Sequence, residues 1–107
     1  MKKIEIDAKN EDSEALLEIG SRYKDDDNFK KAFECFNKGS QKGHAGCQHQ
    51  LGMLYDLGAG VVENKQKAFE LYTKSANKIA GAQYNLAHMY FYGKHVNQDY
   101  DEAKASE

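Results

Sequence analysis

Residues 47–58 and residues 82–93 carry the same pattern of apolar and small side chains, and this repetition decides the fold. The first stretch reads CQHQLGMLYDLG and the second reads AQYNLAHMYFYG, and a valine follows each of them, at positions 61 and 96. The two copies are offset by 35 residues throughout. Because a fixed period of about 20–50 residues is typical of repeat arrays, the sequence predicts stacked copies of one structural unit.

Composition and charge indicate an ordinary globular domain. A chain of 107 residues suffices for one domain with a small core, and a net charge of −2 argues against a nucleic-acid partner, since nucleic-acid binders usually have a basic excess. The absence of proline favours helices, because proline inside a helix costs about 3 kcal/mol. No segment has the apolar run of a secretory signal or of a membrane span. We therefore expect a cytoplasmic protein with no membrane partner.

Capping signals divide residues 12–107 into A and B helices that alternate three times. Residues 1–11 are a polar N-terminal arm, and the repeats cover about 12–43, 44–79 and 80–107. The last repeat is incomplete, because its register places the final residue, Glu107, where the second repeat has the aromatic Tyr72. The predicted N-caps are Asp12 or Ser13, Asn28, Asn64 and Asp99, and the predicted helix stops are Gly43, Gly58 and Gly93.

The repeat register also predicts which side chains are buried. Small residues recur where paired helices meet: Gly20, Gly52 and Ala87 on the A helices, and Ala32, Ala68 and Ala103 on the B helices. We expect Leu54, Met89, Tyr55, Tyr72 and Leu86 in the core. Arg22 occupies the position of Leu54 in a first repeat that has no preceding neighbour, so we expect it to be exposed. Cys35 and Cys47 are expected to be reduced thiols between the first B helix and the second A helix.

The second repeat resembles the Sel-1-like repeat, a relative of the tetratricopeptide repeat with a longer connection between its helices. The residues that carry this resemblance are Leu51, Gly52, Tyr55, Gly58, Gly60, Val61, Asn64, Ala68, Tyr72 and Ala76. The third copy matches at Leu86, Tyr90, Gly93, Val96, Asp99 and Ala103 and departs at His95. The first copy is shorter, since Ala32 follows Tyr23 by nine residues, against thirteen for the matching pair in the other two copies. A spacing of nine is that of an ordinary tetratricopeptide repeat.

The resemblance implies an all-α solenoid of about three antiparallel helix pairs, wound as a right-handed superhelix. Its concave face would be lined by A helices, and proteins of this kind act as scaffolds, adaptors and inhibitors and not, as a rule, as enzymes. The A-helix positions that the core pattern leaves free on that face are the predicted protein-binding residues: Ser21, Lys24, His49, Met53, Asp56, Tyr84, His88 and Phe91.

No set of residues predicts catalysis, a metal or a cofactor. His49 and His88 share the concave side with Asp56, but the spacing matches no zinc motif. Cys47 and His49 lie two residues apart, so on a helix they point to different faces and cannot act as a nucleophile and its base. We therefore expect a protein or peptide partner and no enzyme activity.

Several settings for such a binding module remain open. The chain could be an adaptor, a fragment of a longer repeat scaffold, or a small cytosolic inhibitor such as an immunity protein. The alternative from a different functional class is a hydrolytic enzyme. The incomplete third repeat adds another expectation, which is that two copies or a partner associate at the C-terminal edge. The residues expected at this edge are Met89, Tyr90 and Tyr100.

Overall fold

Five α-helices build the part of the chain that the structure, a computed structural model, describes, which is residues 12–92. They are α1 (Ser13–Asp25), α2 (Phe29–Gln41), α3 (Ala45–Leu57), α4 (Lys65–Ser75) and α5 (Ala80–Tyr92). Helices α1 and α2 form one antiparallel pair, α3 and α4 form the next, and α5 packs on α4. The predicted all-α fold of A and B helices is confirmed over these residues. The expectations for the arm at 1–11 and for the end of the last repeat, including Gly93, Asp99, Tyr100 and Ala103, lie outside the described residues.

Side-chain caps begin the helices at the predicted positions. Asp12 Oδ1 accepts the backbone N–H of Glu14 at 3.0 Å. Asn28 and Asn64 accept the N–H of the residue three positions on, at 3.3 and 3.0 Å. Each cap satisfies a backbone donor that has no partner inside its helix, so the local sequence sets where α1, α2 and α4 begin.

The cap of α3 is a histidine, His44, that the predicted N-caps did not include. His44 Nδ1 accepts the backbone N–H of Cys47 at 3.2 Å. Its other ring nitrogen, Nε2, then carries the proton in the neutral ring and donates to Glu14 Oε2 at 2.9 Å. His44 thereby links the start of α3 to the start of α1.

Two glycines with left-handed backbone shape the connection between α3 and α4. Gly58 ends α3 with a φ of 70°, as predicted. Gly60, with a φ of 75°, lies so close to the start of α2 that a Cβ built on it would be 2.5 Å from the carbonyl carbon and oxygen of Phe29. The longer connection of this repeat therefore packs against the preceding repeat and needs glycine at position 60.

The predicted small residues do allow close helix packing in the first two pairs. The aromatic ring of Phe36 on α2 lies over Gly20, and the ring of Tyr72 on α4 lies over Gly52. A Cβ at either glycine would be less than 3 Å from the ring, so the recurrence of glycine on the A helices has a steric cause. Ala87, the third member of the series, is exposed.

Two clusters of buried side chains form the core. One joins α1, α2 and α3 and contains Leu16, Ile19, Ala32, Phe36, Cys47, Leu51 and Leu54, with Leu71 of α4. The other joins α4 and α5 and contains Ala68, Tyr72, Ala82 and Met89. Each pair of helices thus buries its apolar faces partly against the next pair, which is how repeat arrays are stabilised.

Among the residues predicted to be in the core, two are less buried than expected. Leu54 and Met89 are each 2% exposed, Tyr72 is 1% exposed and Arg22 is exposed, as expected. Tyr55 and Leu86 are only half-buried, so the prediction that they are core residues is wrong in degree. The ring of Tyr55 lies at the rim of the core, where it meets Phe33 edge-on at 5.7 Å between centroids and has the Lys67 ammonium 5.9 Å from its own centroid.

Both cysteines are free thiols in the structure. Cys47 is fully buried, with its sulfur against Gly39 of α2 and its thiol directed to the Ser13 carbonyl at 3.8 Å. Burial, together with the nearby Glu14 and Cys35, raises the pKa of Cys47 to about 12. Cys35 is half-buried, and burial raises its pKa as well.

The shifted pKa of Cys47 predicts a loss of stability in alkali. The unfolded thiol ionises near its ordinary pKa of 9.0 while the folded thiol stays protonated until about pH 12. Proton release above about pH 9 therefore favours the unfolded state. As a result, the free energy of unfolding falls as the pH rises from about 9 toward 12. Urea denaturation under reducing conditions at pH 8 and pH 10.5 should show this fall in the wild type. We expect Cys47→Ala to reduce the fall, and an unchanged pH dependence in that variant would contradict the assignment.

Candidate protein-binding face

The predicted binding residues occupy equivalent positions on the three A helices, α1, α3 and α5. On α3 they are His49, Met53 and Asp56, and on α5 they are Tyr84, His88 and Phe91. Spacings of four and then three residues place each set on one face of its helix. We call the surface formed by these two sets with Ser21 and Lys24 of α1 the A-helix face.

On α1, the A-helix face is tied to the neighbouring helix. Ser21 and Lys24 are half-buried, and the Lys24 ammonium donates to Gln50 Oε1 of α3 at 2.7 Å. An ammonium with a fixed internal acceptor is a positioned charge and not a freely rotating one. This contact holds α1 and α3 side by side.

Asp56 forms its main polar contacts with residues of its own repeat. Its carboxylate forms an ion pair with the ammonium of Lys65 at the start of α4, and its Oδ2 accepts the Tyr72 hydroxyl at 3.2 Å. Lys65 also donates to the Asp56 carbonyl at 2.7 Å and pairs with Glu63 at 3.1 Å. The sequence pattern named Asp56 as a contact for a partner but gave no sign of these internal partners.

The electrostatics of this network follow from partial burial. Burial alone lowers the pKa of Lys65, but its hydrogen bonds to Asp56 and Glu63, together with the negative charges of these two carboxylates, outweigh burial and raise that pKa. Burial also raises the pKa of the Tyr72 hydroxyl, and the adjacent Asp56 charge raises it further. Lys65 stays charged and Tyr72 stays protonated at neutral pH, so the ion pair and the hydrogen bond are both present there.

His49 and Met53 are half-buried at the junction of α3 and α5. His49 Nε2 lies 3.1 Å from Asn85 Oδ1, and its ring is tilted against Tyr72 with 6.0 Å between centroids. Met53 packs against the cluster that contains Tyr72 and Met89. These side chains connect the second repeat to the third and leave only part of their surface to a partner.

The exposed part of the A-helix face lies on α5, and we call its residues Tyr84, His88 and Phe91 the aromatic strip. Tyr84 is 69% exposed and Phe91 is 79% exposed, and His88 between them is exposed too. The rings of Tyr84 and His88 lie 6.3 Å apart between centroids, tilted by 42°. Aromatic residues of this kind are enriched in protein interfaces, where they bury a large area.

Of the residues named for the predicted C-terminal edge, Met89 and Tyr90 lie on α5. Met89 is buried among Ala68, Tyr72 and Ala82, in agreement with its predicted core position, so its side chain offers little surface to another chain. Tyr90 is half-buried and meets Phe69 of α4 edge-on at 5.8 Å between centroids. Both side chains are directed inward because α5 packs on α4 through this side. Tyr100 lies outside the described residues, and association at this edge stays a prediction.

Within residues 12–92, no three His, Cys, Asp or Glu side chains are grouped as ligands for a metal ion. Over the same residues, no helix has the length and apolar character needed to cross a membrane.

The fold and its repeated face define the class of protein. The family profile described as Sel1 repeat matches residues 13–44, 45–78 and 80–105, and the chain belongs to the Sel1 repeat family. Repeats of this family generally mediate protein–protein interactions and are typically non-enzymatic. None of the curated proteins is significantly similar to the chain in sequence.

Solved structures that are similar to this chain include the following two. One is a Sel1 repeat protein from Oxalobacter formigenes, at 26% identity and a TM-score of 0.74 over 78% of this chain and 37% of its own. The other is c5321, a protective antigen present in uropathogenic Escherichia coli strains and displaying an SLR fold, at 29% identity and a TM-score of 0.78 over 86% of this chain and 21% of its own. The chain therefore spans well under half the length of either protein.

Proposed function

We propose that the chain is a non-catalytic module that binds a protein or peptide on its A-helix face, with the aromatic strip as the main contact. The observation that carries this proposal is the exposure of Tyr84 and Phe91, at 69% and 79%, one turn on either side of His88. Large side chains left exposed on one helix face gain free energy when a partner covers them.

The half-buried residues of the A-helix face support the strip by fixing its position. His49 joins α3 to α5 through Asn85, and Lys24 joins α1 to α3 through Gln50. A face whose helices are linked in this way loses little freedom on binding, and such preorganisation favours affinity.

Two settings follow for this binding module. A small inhibitor, such as an immunity protein, or an adaptor would use the face alone. A segment of a longer repeat scaffold is the second candidate, and it is favoured by the chain's coverage of only 37% and 21% of the two similar structures. For either setting we propose a reducing, cytoplasmic location, which the free thiols Cys35 and Cys47 support.

The test removes the aromatic strip without touching the core. Immobilised wild-type protein should capture a partner from the native host, and Tyr84→Ala/Phe91→Ala should weaken binding of that purified partner by at least about tenfold. The matched control is Leu57→Ala/Val62→Ala, which removes two other exposed hydrophobic side chains, 73% and 84% exposed, and should leave the affinity unchanged. Equal affinities of the wild type and the strip variant would overturn the proposal.

A further inference from the structure

Charge is separated between the two kinds of helix in this chain. The B helices with their C-terminal turns, residues 29–42 and 65–78, contain eight lysines and two glutamates. The rest of residues 12–92 contains eight acidic residues, one arginine and one lysine. The lysines of the described residues are thus concentrated on the B helices and their C-terminal turns. The net charge that argued against a nucleic-acid partner conceals a local excess of lysine on the B helices.

The lysines repeat with the fold. Lys31, Lys38 and Lys42 in the first repeat recur 36 residues later in the second, at positions 67, 74 and 78. Intervals of seven and eleven residues return to nearly the same angle on a helix, so each set forms a column along one side. All six lysines are exposed. The seventh and eighth differ, since Lys30 lies off the column and Lys65 is paired with Asp56 on the other side.

A groove separates the two B helices. Asn37 and Ser40 of α2 line one wall, and Lys67, Glu70 and Lys74 of α4 line the other, with Tyr55 of α3 between them. Its volume is about 170 Å³. Drug-sized ligands occupy roughly 300–1,000 Å³, so this groove has room for one or two side chains and not for a whole small molecule.

The groove presents hydrogen-bond donors of the kind that carboxylates need. Two ammonium groups, an amide and a hydroxyl are present on its walls, and Glu70 is the one carboxylate that lines it. The Lys67 ammonium is also held over the Tyr55 ring, 5.9 Å from its centroid, which fixes its position at the groove.

We propose that this groove is a second interaction site, which binds an acidic segment of a partner protein through Lys67 and Lys74. The lysine columns attract the segment, and the groove receives one of its Asp or Glu side chains. A nucleic acid fits less well. The exposed aromatic rings that could stack on bases, Tyr84 and Phe91, lie on α5 and not on the B helices.

A labelled peptide of alternating glutamate and serine tests the site by fluorescence anisotropy at low salt. We expect the wild type to bind this peptide and not to bind the same peptide with glutamine in place of glutamate. The affinity for the acidic peptide should fall as salt is added. Lys74→Glu should weaken binding about tenfold, and Lys74→Gln should weaken it by less. The matched control Lys30→Glu makes the same charge change on an exposed B-helix lysine outside the groove, and we expect less than about a twofold effect.

Three results would overturn the proposal. They are no binding of the acidic peptide by the wild type, equal effects of Lys74→Glu and Lys30→Glu, and tighter binding of a single-stranded oligonucleotide of equal charge with the same dependence on Lys74. Circular dichroism melts of each variant establish that it is folded when its affinity is measured. The Tyr84→Ala/Phe91→Ala variant should bind the peptide with the affinity of the wild type. The proposed groove site and the proposed binding function of the A-helix face are therefore tested independently.

Discussion

Truncation of Tyr72 to alanine is expected to lower the free energy of unfolding by about 3–5 kcal/mol, the range for a buried aromatic side chain. Tyr72 is 1% exposed, and its ring fills the space above Gly52 between α3 and α4. The alanine variant would leave a cavity at the centre of the second helix pair and remove the hydroxyl that donates to Asp56. Urea denaturation of the wild type and the variant measures the difference.

Two further variants separate the causes of this loss. Tyr72→Phe keeps the ring and removes only the hydrogen bond to Asp56, so it should cost about 1–2 kcal/mol. Tyr84→Ala removes a tyrosine that is 69% exposed, and it should change stability by no more than about 0.5 kcal/mol. If Tyr72→Ala cost less than about 1 kcal/mol, the packing of α4 on α3 described above would be wrong.

Substitution of Gly60 by alanine should be the most damaging change in the connections. Its φ of 75° costs an L-residue about 1–2 kcal/mol, and the new Cβ would collide with the backbone of Phe29, which cannot rotate away as a side chain can. Displacing Phe29 would disturb the first turn of α2. We therefore expect a loss of stability clearly above the conformational cost alone.

Gly43 provides the matched control for this prediction. Its φ of 83° is similarly left-handed, but nothing lies within 4 Å of a Cβ built on it. Gly43→Ala should therefore cost only the conformational term, about 1–2 kcal/mol. The difference in midpoint of urea denaturation between the two variants measures the steric contact at Phe29. Equal costs would show that the connection does not pack against α2.

The sequence by itself determined the features that depend on neighbours along the chain. Asp12, Asn28 and Asn64 cap helices because a short polar side chain reaches an amide two or three residues ahead, wherever the helix lies in the fold. The end of α3 at Leu57 followed from Gly58 in the same way. The period also predicted that small residues lie where paired helices meet, because the repetition already encodes the pairing of helices. The rings of Phe36 and Tyr72 lie over two of these residues, Gly20 and Gly52.

Only the tertiary structure decided which face residues are bonded to other helices and which are exposed. Asp56 and Tyr72 are 16 residues apart, and His49 and Asn85 are 36 apart, so no helical spacing links them. Whether their polar atoms meet depends on how one helix is rotated against another, to within about an ångström. The same is true of the lysine columns. Their period is visible in the sequence, but the groove beside Lys67 and Lys74 of the second column exists only because the packing of α2 and α4 on α3 brings residues from both B helices to its walls.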